Sequence, residues 1–318
     1  MLERDSYMTD EMPEHLEADK SRLLDSIDSR HEGLDIEQVN YFLGSYGLKP
    51  RESVIFYDED IDQLKEVLPE DRSFQTFLDD ARGRRCGAYF PRYQTSLLRR
   101  PREYEATNGP VVTEGFLVHE LSHSTSELAS YKITDLGDEI GISVPRCGQN
   151  VSGEGKSWGN FFEEGFAEMM RAEYVKTFQG EAERVKLLTR LGKPSESTLD
   201  ASIPSSYRDL TYYIPLKYAY ITPDNNNVQI SVTTMAGMGL ELICKKEPRL
   251  WNALISARKE MSGLREVPKI INGLKSGLYT DLRALGYSRE DFSDGYKKIV
   301  DSLFDGKLSL NDQGDINI

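Results

Sequence analysis

The sequence predicts an α+β fold: a helical N-terminal region, a small mixed sheet, and a pair of long helices that face one another. Three observations carry this expectation. Apolar residues recur at helical spacing through the first ~80 residues. A β-favouring, aromatic-rich stretch from Cys86 to Leu98 is interrupted by Pro91 and followed by Pro101. Two further apolar stripes of helical period flank a Gly-, Ser- and Asn-rich stretch from Gly141 to Gly159. At 318 residues and 38% hydrophobic content the chain can bury a sizeable core. The boundaries expected are a mainly helical region over 1–82, a main domain over 83–308 and a polar tail over 309–318.

In order along the chain, Leu16, Leu23, Leu24 and Ile27, then Ile36, Val39, Phe42 and Leu43, mark helices by their spacing. Val54 to Tyr57 is a short β-rich run, and Asp58 to Asp60 opens another helix through Leu64, Val67 and Leu68. Gly87 to Phe90 and Tyr93 to Leu98 read as strands. After Pro110, Thr113 can cap a helix running through Phe116, Leu117, Leu121 and Leu128. The stretch 141–159 reads as a loop with a short strand at Ile142 to Val144. Phe162, Phe166, Met169 and Met170 form a stripe on a second long helix, Phe161 to Val175. Val232 to Cys244 and Leu250 to Met261 are later helices, with an exposed turn at Pro223 to Asn227 and a fraying end after Leu310.

Composition narrows the function classes. The 53 acidic residues against 39 basic ones leave a net charge of -14, which repels a phosphate backbone, so nucleic acid is not an expected partner. No apolar run reaches the ~18 residues a membrane span needs. The acidic start, Met1 to Asp10, lacks the basic and apolar regions of a secretory signal, so a cytoplasmic location is expected. Cys86, Cys147 and Cys244 are far apart and odd in number, and reduced thiols are expected rather than a disulfide framework.

The chemistry concentrates at His119-Glu120-Leu121-Ser122-His123. Residues four apart share a helix face, so His119 and His123 can direct their imidazoles at one ion while Glu120 projects beside it. Catalytic zinc takes three protein ligands, leaves one position open and lowers the pKa of a bound water to about 7. Glu120 is then placed to accept the water's proton and return it to the leaving group. Downstream, Glu163-Glu164-Gly165-Phe166-Ala167-Glu168 can bring a carboxylate to the same ion.

Together these two segments resemble the gluzincin metallopeptidases, the thermolysin-like and aminopeptidase N-like enzymes, over roughly Gly87 to Tyr174. The resemblance implies a zincin-like catalytic domain over 83–308, a bound Zn2+ held by His119, His123 and Glu164, and hydrolysis of a peptide or protein substrate with Glu120 as general base. It implies a role for Glu168, standing where the family has Asp, in orienting a ligand histidine. It also implies a Tyr or His donor facing the tetrahedral intermediate. His15 and His31 lie in the N-terminal region, and of Tyr212, Tyr213 and Tyr218 the residue named for this role is Tyr213. An edge strand beside the cleft, here assigned to Tyr93–Leu98, would accept an extended peptide. Arg99, Arg100 and Arg102 either hold a substrate carboxylate or form a solvated basic turn.

Two neighbouring zinc families fit less well. Metzincins need a Gly and a third His where Ser126 and Ala129 stand. Aspzincin-like enzymes use an Asp after a Gly-Thr pair, which Ile133-Thr134-Asp135 or Asp138 imitates weakly, and Asp135 is the rival third ligand. A non-catalytic protein that keeps the zincin scaffold for recognising a protein partner is the competing function, and an intact Glu120 argues against it. Substrate identity, oligomeric state and endo- versus exopeptidase action are not legible in the sequence.

Overall fold

Helical periodicity in the N-terminal region becomes four helices: α1 (Glu14–Asp25), α2 (Ile36–Ser45), α3 (Ile61–Val67) and α4 (Arg72–Ala81). The computed structural model describes residues 6–9, 11–82, 86–126, 129–135, 140–147, 149–153, 156–180, 216–221, 228–306, 308–310 and 316–317. Two of the four helices are capped as helix signals dictate. Asp35 accepts from the Gln38 backbone N–H at 2.8 Å and Asp71 from that of Phe74 at 3.0 Å. A short strand, β1 (Ser6–Thr9), precedes them, and β2 (Ser53–Phe56) lies between α2 and α3.

β2 belongs to the small mixed sheet. Its order is β2-β4-β3, with β3 spanning Gly87–Phe90 and β4 spanning Thr95–Arg99; β2 and β4 are parallel, β3 and β4 antiparallel. Side chains alternate across a strand, and here the alternation divides two cores. Val54, Phe56, Ala88, Phe90 and Leu97 join Leu16, Leu23, Phe74 and Phe77 in a smaller core, whereas Ile55 and Leu98 face the larger one. The smaller core therefore draws on residues from both sides of position 82.

The strand Tyr93–Leu98, expected at an edge, is instead the centre: β4 is buried along its whole length and pairs on both sides. The edge near the helices is β3. Of the arginines expected at a basic turn or a substrate site, Arg99 and Arg100 are buried and locked into structural pairs. Arg99 donates to Asp58 at 2.5 Å and to Glu103 at 3.2 Å, and Arg100 donates to both oxygens of Glu105 at 2.7 and 2.9 Å. Arg102 pairs with Glu59 and lies over the Tyr57 ring.

α5 (Arg102–Asn108) leads into α6 (Pro110–Ser124). Pro110, not Thr113, opens α6: proline suits the first helical position, where its missing N–H is not needed. Thr113 is buried within the first turn. The helix ends at Ser124, and Leu128 lies outside the described residues. The stretch 141–159, read as a loop with a short strand at Ile142 to Val144, is largely sheet: that strand extends to β6 (Ile140–Cys147), and with β5 (Ala129–Asp135), β7 (Asn150–Gly153) and β8 (Lys156–Trp158) it forms antiparallel neighbours in the order β1-β5-β6-β7-β8. Gly141, Asn150 and Gly153 occupy strand positions, where main-chain pairing with neighbouring strands overrides the weak β-propensity.

α7 (Asn160–Phe178) packs against α6 on one side and on the other against α8 (Thr234–Lys246). Between α7 and α8 lies a two-stranded ribbon of β9 (Ala219–Ile221) and β10 (Val228–Ile230). α9 (Arg249–Ser256), α10 (Met261–Leu274), α11 (Leu278–Arg283) and α12 (Arg289–Phe304) complete the larger core, with α12 against α8. Near the end, β11 (Ser309–Leu310) pairs with β12 (Ile316–Asn317), so part of the polar tail is ordered. The protein is thus mostly helical, α+β, with a small mixed sheet. No helix among the described residues is long and apolar enough to cross a membrane.

Candidate metal centre

On α6, Leu117, Val118 and Leu121 turn into the larger core, which leaves His119, Glu120 and His123 toward a cleft. On α7, Phe161, Phe162, Phe166 and Met170 take the core face, so Glu164 and Glu168, one turn apart, face α6. The two helices meet with crossed pairing. Glu168, late in α7, reaches His119, while Glu163, early in α7, reaches the later His123. They therefore pass in opposite directions, with Glu164 between the two contacts.

Three ligand-type atoms converge at this crossing. His119 Nε2 and His123 Nε2 are 3.3 Å apart, and Glu164 Oε2 lies 3.4 Å from the first and 3.6 Å from the second. A tetrahedron with zinc bonds of about 2.0–2.2 Å separates its ligand atoms by about 3.3–3.6 Å. The donor set fits such an ion without rearrangement. His119, His123 and Glu164 are the group among the described residues that could hold a metal. The rival Asp135 ends β5, with its side chain outside the described set, and Asp138 lies outside the described residues.

Each histidine is oriented by a carboxylate behind it. His119 Nδ1 is 3.2 Å from Glu168 Oε2 and His123 Nδ1 is 3.0 Å from Glu163 Oε1. A carboxylate only accepts, so in its neutral form each imidazole places its proton on Nδ1 and turns the Nε2 lone pair toward the crossing. Glu168 is held in turn by Arg171, whose Nε and Nη2 donate at 3.0 and 2.7 Å, and by the hydroxyls of Ser231, Thr233 and Thr234 at 3.1, 3.3 and 3.1 Å. Gly237 on α8 makes room for it: a Cβ there would stand 2.8 Å from Glu168 Cγ. Glu163 receives Arg258 Nη1 at 2.5 Å and the Gln149 backbone N–H at 3.1 Å.

The electrostatics demand positive charge at the crossing. Arg171 neutralises Glu168 and Arg258 neutralises Glu163, which leaves Glu164 facing only the two imidazoles. Burial pushes the Glu164 carboxyl up, but His123 and His119 more than offset it and hold the group well below the usual carboxylate range. Burial likewise opposes the charge on both histidines, yet the surrounding carboxylates raise His119 to about 9 and His123 to about 10. Glu168, despite burial, is brought down to about 2 by Arg171 and His119. Protons or a divalent cation can supply the missing charge, and the spacing of the three atoms suits the cation.

Comparison with protein-family models, curated proteins and solved structures finds no match.

What the centre can do follows from its own atoms. The cleft holds about 420 Å³ and is lined by Glu120, the two histidines and the three acidic residues of α7 at its floor. Edge strand β3 lines it with Gly87, Ala88 and Tyr89, and Tyr104, Phe116 and Tyr220 form an aromatic wall. Tyr212 and Tyr213 lie outside the described residues. Tyr218 is buried, and its hydroxyl donates to Glu241 at 2.9 Å, away from the lining. Asn160 is buried and accepts from Asn150, a cleft residue, at 2.7 Å; Trp158 is not among the lining residues. Cys86 lines the cleft, and burial pushes its thiol up to about 11.

Sequence reasoning did not assign roles to Glu163, Arg171, Arg258 or the Ser231-Val232-Thr233-Thr234 segment. For Glu163 the only local signal is its place beside Glu164. For Arg258 and the hydroxyl residues there is none, because they reach the centre from elements far along the chain.

Proposed function

We propose that the protein is a zinc-dependent peptidase on a zincin-like scaffold, with His119, His123 and Glu164 holding the ion and Glu120 as general base. The observation that carries the reading is the near-equilateral spacing of His119 Nε2, His123 Nε2 and Glu164 Oε2, at 3.3, 3.4 and 3.6 Å, beside an acid that lines the same cleft. Two imidazoles and one carboxylate are a donor set that zinc favours, and three protein ligands leave a position open for chemistry. When bound, zinc supplies Lewis acidity and lowers the pKa of a coordinated water to about 7.

The remaining work falls to the chain's own residues. Glu120 takes a proton from the attacking water and returns it to the leaving nitrogen. Glu163 and Glu168 keep both imidazoles in the tautomer that presents Nε2. β3, the sheet edge beside the cleft, offers main-chain groups to an extended peptide. The aromatic wall of Tyr104, Phe116 and Tyr220 excludes water from one side of the scissile bond.

The test is Glu120→Gln, which keeps the shape of the side chain and removes the base. Zinc content measured by atomic absorption is expected to be unchanged, while cleavage of a broad peptide library falls at least ~100-fold. Cleavage retained by Glu120→Gln would refute the assignment. Absence of cleavage by the zinc-loaded native protein would instead favour a scaffold that recognises a protein partner without hydrolysing it.

A further inference from the structure

Strand β3 and helix α6 come closest at Gly87. A Cβ at this position would sit 2.6 Å from Glu120 Cγ, 2.6 Å from Glu120 Oε1 and 2.8 Å from Glu120 Cδ. Non-bonded carbon atoms settle at about 3.5–4.0 Å, so any side chain on residue 87 would drive the Glu120 carboxylate aside by about 0.9 Å. The backbone at Gly87 is not in the left-handed region, so the conformation itself does not call for glycine. A glycine within a strand forgoes packing and raises the entropic cost of ordering, and often marks a place where another group approaches closely.

The Glu120 backbone is held by the neighbouring strand of the same sheet. Ser96 Oγ on β4 donates to the Glu120 backbone carbonyl at 3.0 Å, and the sheet register sets Gly87 against Leu98 and Tyr89 against Ser96. β4 thus fixes the backbone from which the acid projects, while β3 bounds the space its side chain occupies. We propose that Gly87 is a positioning residue for Glu120: the missing side chain creates the slot in which the carboxylate stands at the cleft. This inference rests on the reading of Glu120 as the base.

The experiment compares native protein, Gly87→Ala, Glu120→Asp, Glu120→Gln and the Gly87→Ala/Glu120→Asp double variant, all zinc-loaded. Cleavage of fluorescein-labelled casein and crystal structures of the variants are the two readouts. Gly87→Ala is expected to lower kcat ~10–100-fold, the scale of a misplacement near 1 Å, with KM altered less than ~3-fold. Zinc stoichiometry stays at the native value, and the structure shows the Glu120 carboxylate displaced with His119, His123 and Glu164 in place. The shorter acid relieves the clash, so Glu120→Asp, harmful alone, is expected to cost nothing further in the Gly87→Ala background and to restore folding should the single variant fold poorly. Native kcat in Gly87→Ala, a rate loss with Glu120 unmoved, loss of zinc, or strictly additive effects in the double variant each overturn the proposal. Native-like cleavage by Glu120→Gln sinks the functional reading itself. If casein is not cut by the native protein, the position of Glu120 in the Gly87→Ala structure still decides the positioning role.

Discussion

Arg258 offers the sharpest test of how the centre is held. It follows α9, yet its side chain is 1% exposed and reaches back to the ends of α6 and α7, the helices of the candidate centre. Nη1 donates to Glu163 at 2.5 Å, Nη2 to the backbone carbonyls of Ser122 and His123 at 2.5 and 3.1 Å, and Nε to Thr125 Oγ1 at 3.3 Å. The guanidinium therefore caps the C-terminal carbonyls of α6 and also compensates the carboxylate that orients His123. Burial pushes the Glu163 carboxyl up; Arg258, with His123, more than offsets this and keeps it ionised. Arg258→Met retains an apolar stem and removes the charge, leaving buried Glu163 with His123 as its remaining charged partner, at a cost of about 3–5 kcal/mol. At roughly 2–4 °C per kcal/mol for a large domain, Tm should fall by roughly 6–20 °C. Zinc affinity should weaken about 10–100-fold, the usual consequence of losing an outer partner of a ligand. Adding Glu163→Gln removes the stranded charge, so the double variant should be more stable than Arg258→Met alone. Thermal unfolding followed by circular dichroism and competition with a chromophoric chelator measure both effects. A loss below about 1 kcal/mol, or a double variant no more stable than the single one, would refute the claim that Arg258 acts by compensating Glu163.

Two more outcomes follow from the same geometry. Glu168→Asp withdraws the carboxylate by about 1.5 Å, one C–C bond, which breaks its 3.2 Å contact with His119. Zinc affinity should drop about 10–100-fold while fold and solubility persist, and chelator titration at native-like affinity would show that the longer acid is not needed. Acidification should release the metal. Without an ion the histidines hold their protons up to about 9 and about 10, so a cation must displace them at neutral pH. Affinity therefore rises with pH and falls as pH is lowered, by up to about 10-fold per pH unit for each proton displaced. Chelator competition between pH 6 and 8, corrected for protonation of the chelator, should show this slope; a flat profile contradicts it.

Much of the helical framework was legible because helical periodicity is local. The spacing of Leu16 and Leu23, of Val39, Phe42 and Leu43, and of Phe162, Phe166 and Met170 places each set on one face, and each set is buried. The sheet was less legible for two distinct reasons. Strand order depends on partners far along the chain: nothing in Thr95–Arg99 announces that β2 and β3 will flank it, so a central strand read like an edge. The 141–159 stretch carries turn-forming residues at strand positions, and it joins a sheet through β5, whose other edge is covered by residues 6–9, which local propensity cannot reveal.

The same distinction between local and distant information explains what was readable at the metal centre. His119 and His123 face one point because four residues make about one turn. Glu164 and Glu168 share a face for the same reason, so four of the groups at the crossing are written in two short segments. Glu163 lies about 100° around the helix from Glu164, so the helix face that presents Glu164 does not by itself assign Glu163 a place at the centre. It is buried only because the Gln149 backbone N–H and Arg258 close over it. Charge balance makes that closure necessary: three carboxylates packed around two imidazoles cannot be buried unless cations arrive from elsewhere. Arg171 comes from the next turn of the same helix and Arg258 from the C-terminal helices. The two arginines account for Glu168 and Glu163. They leave Glu164 facing the two imidazoles, where an ion would fit, and this division of labour among three nearby glutamates is a property of the assembled fold.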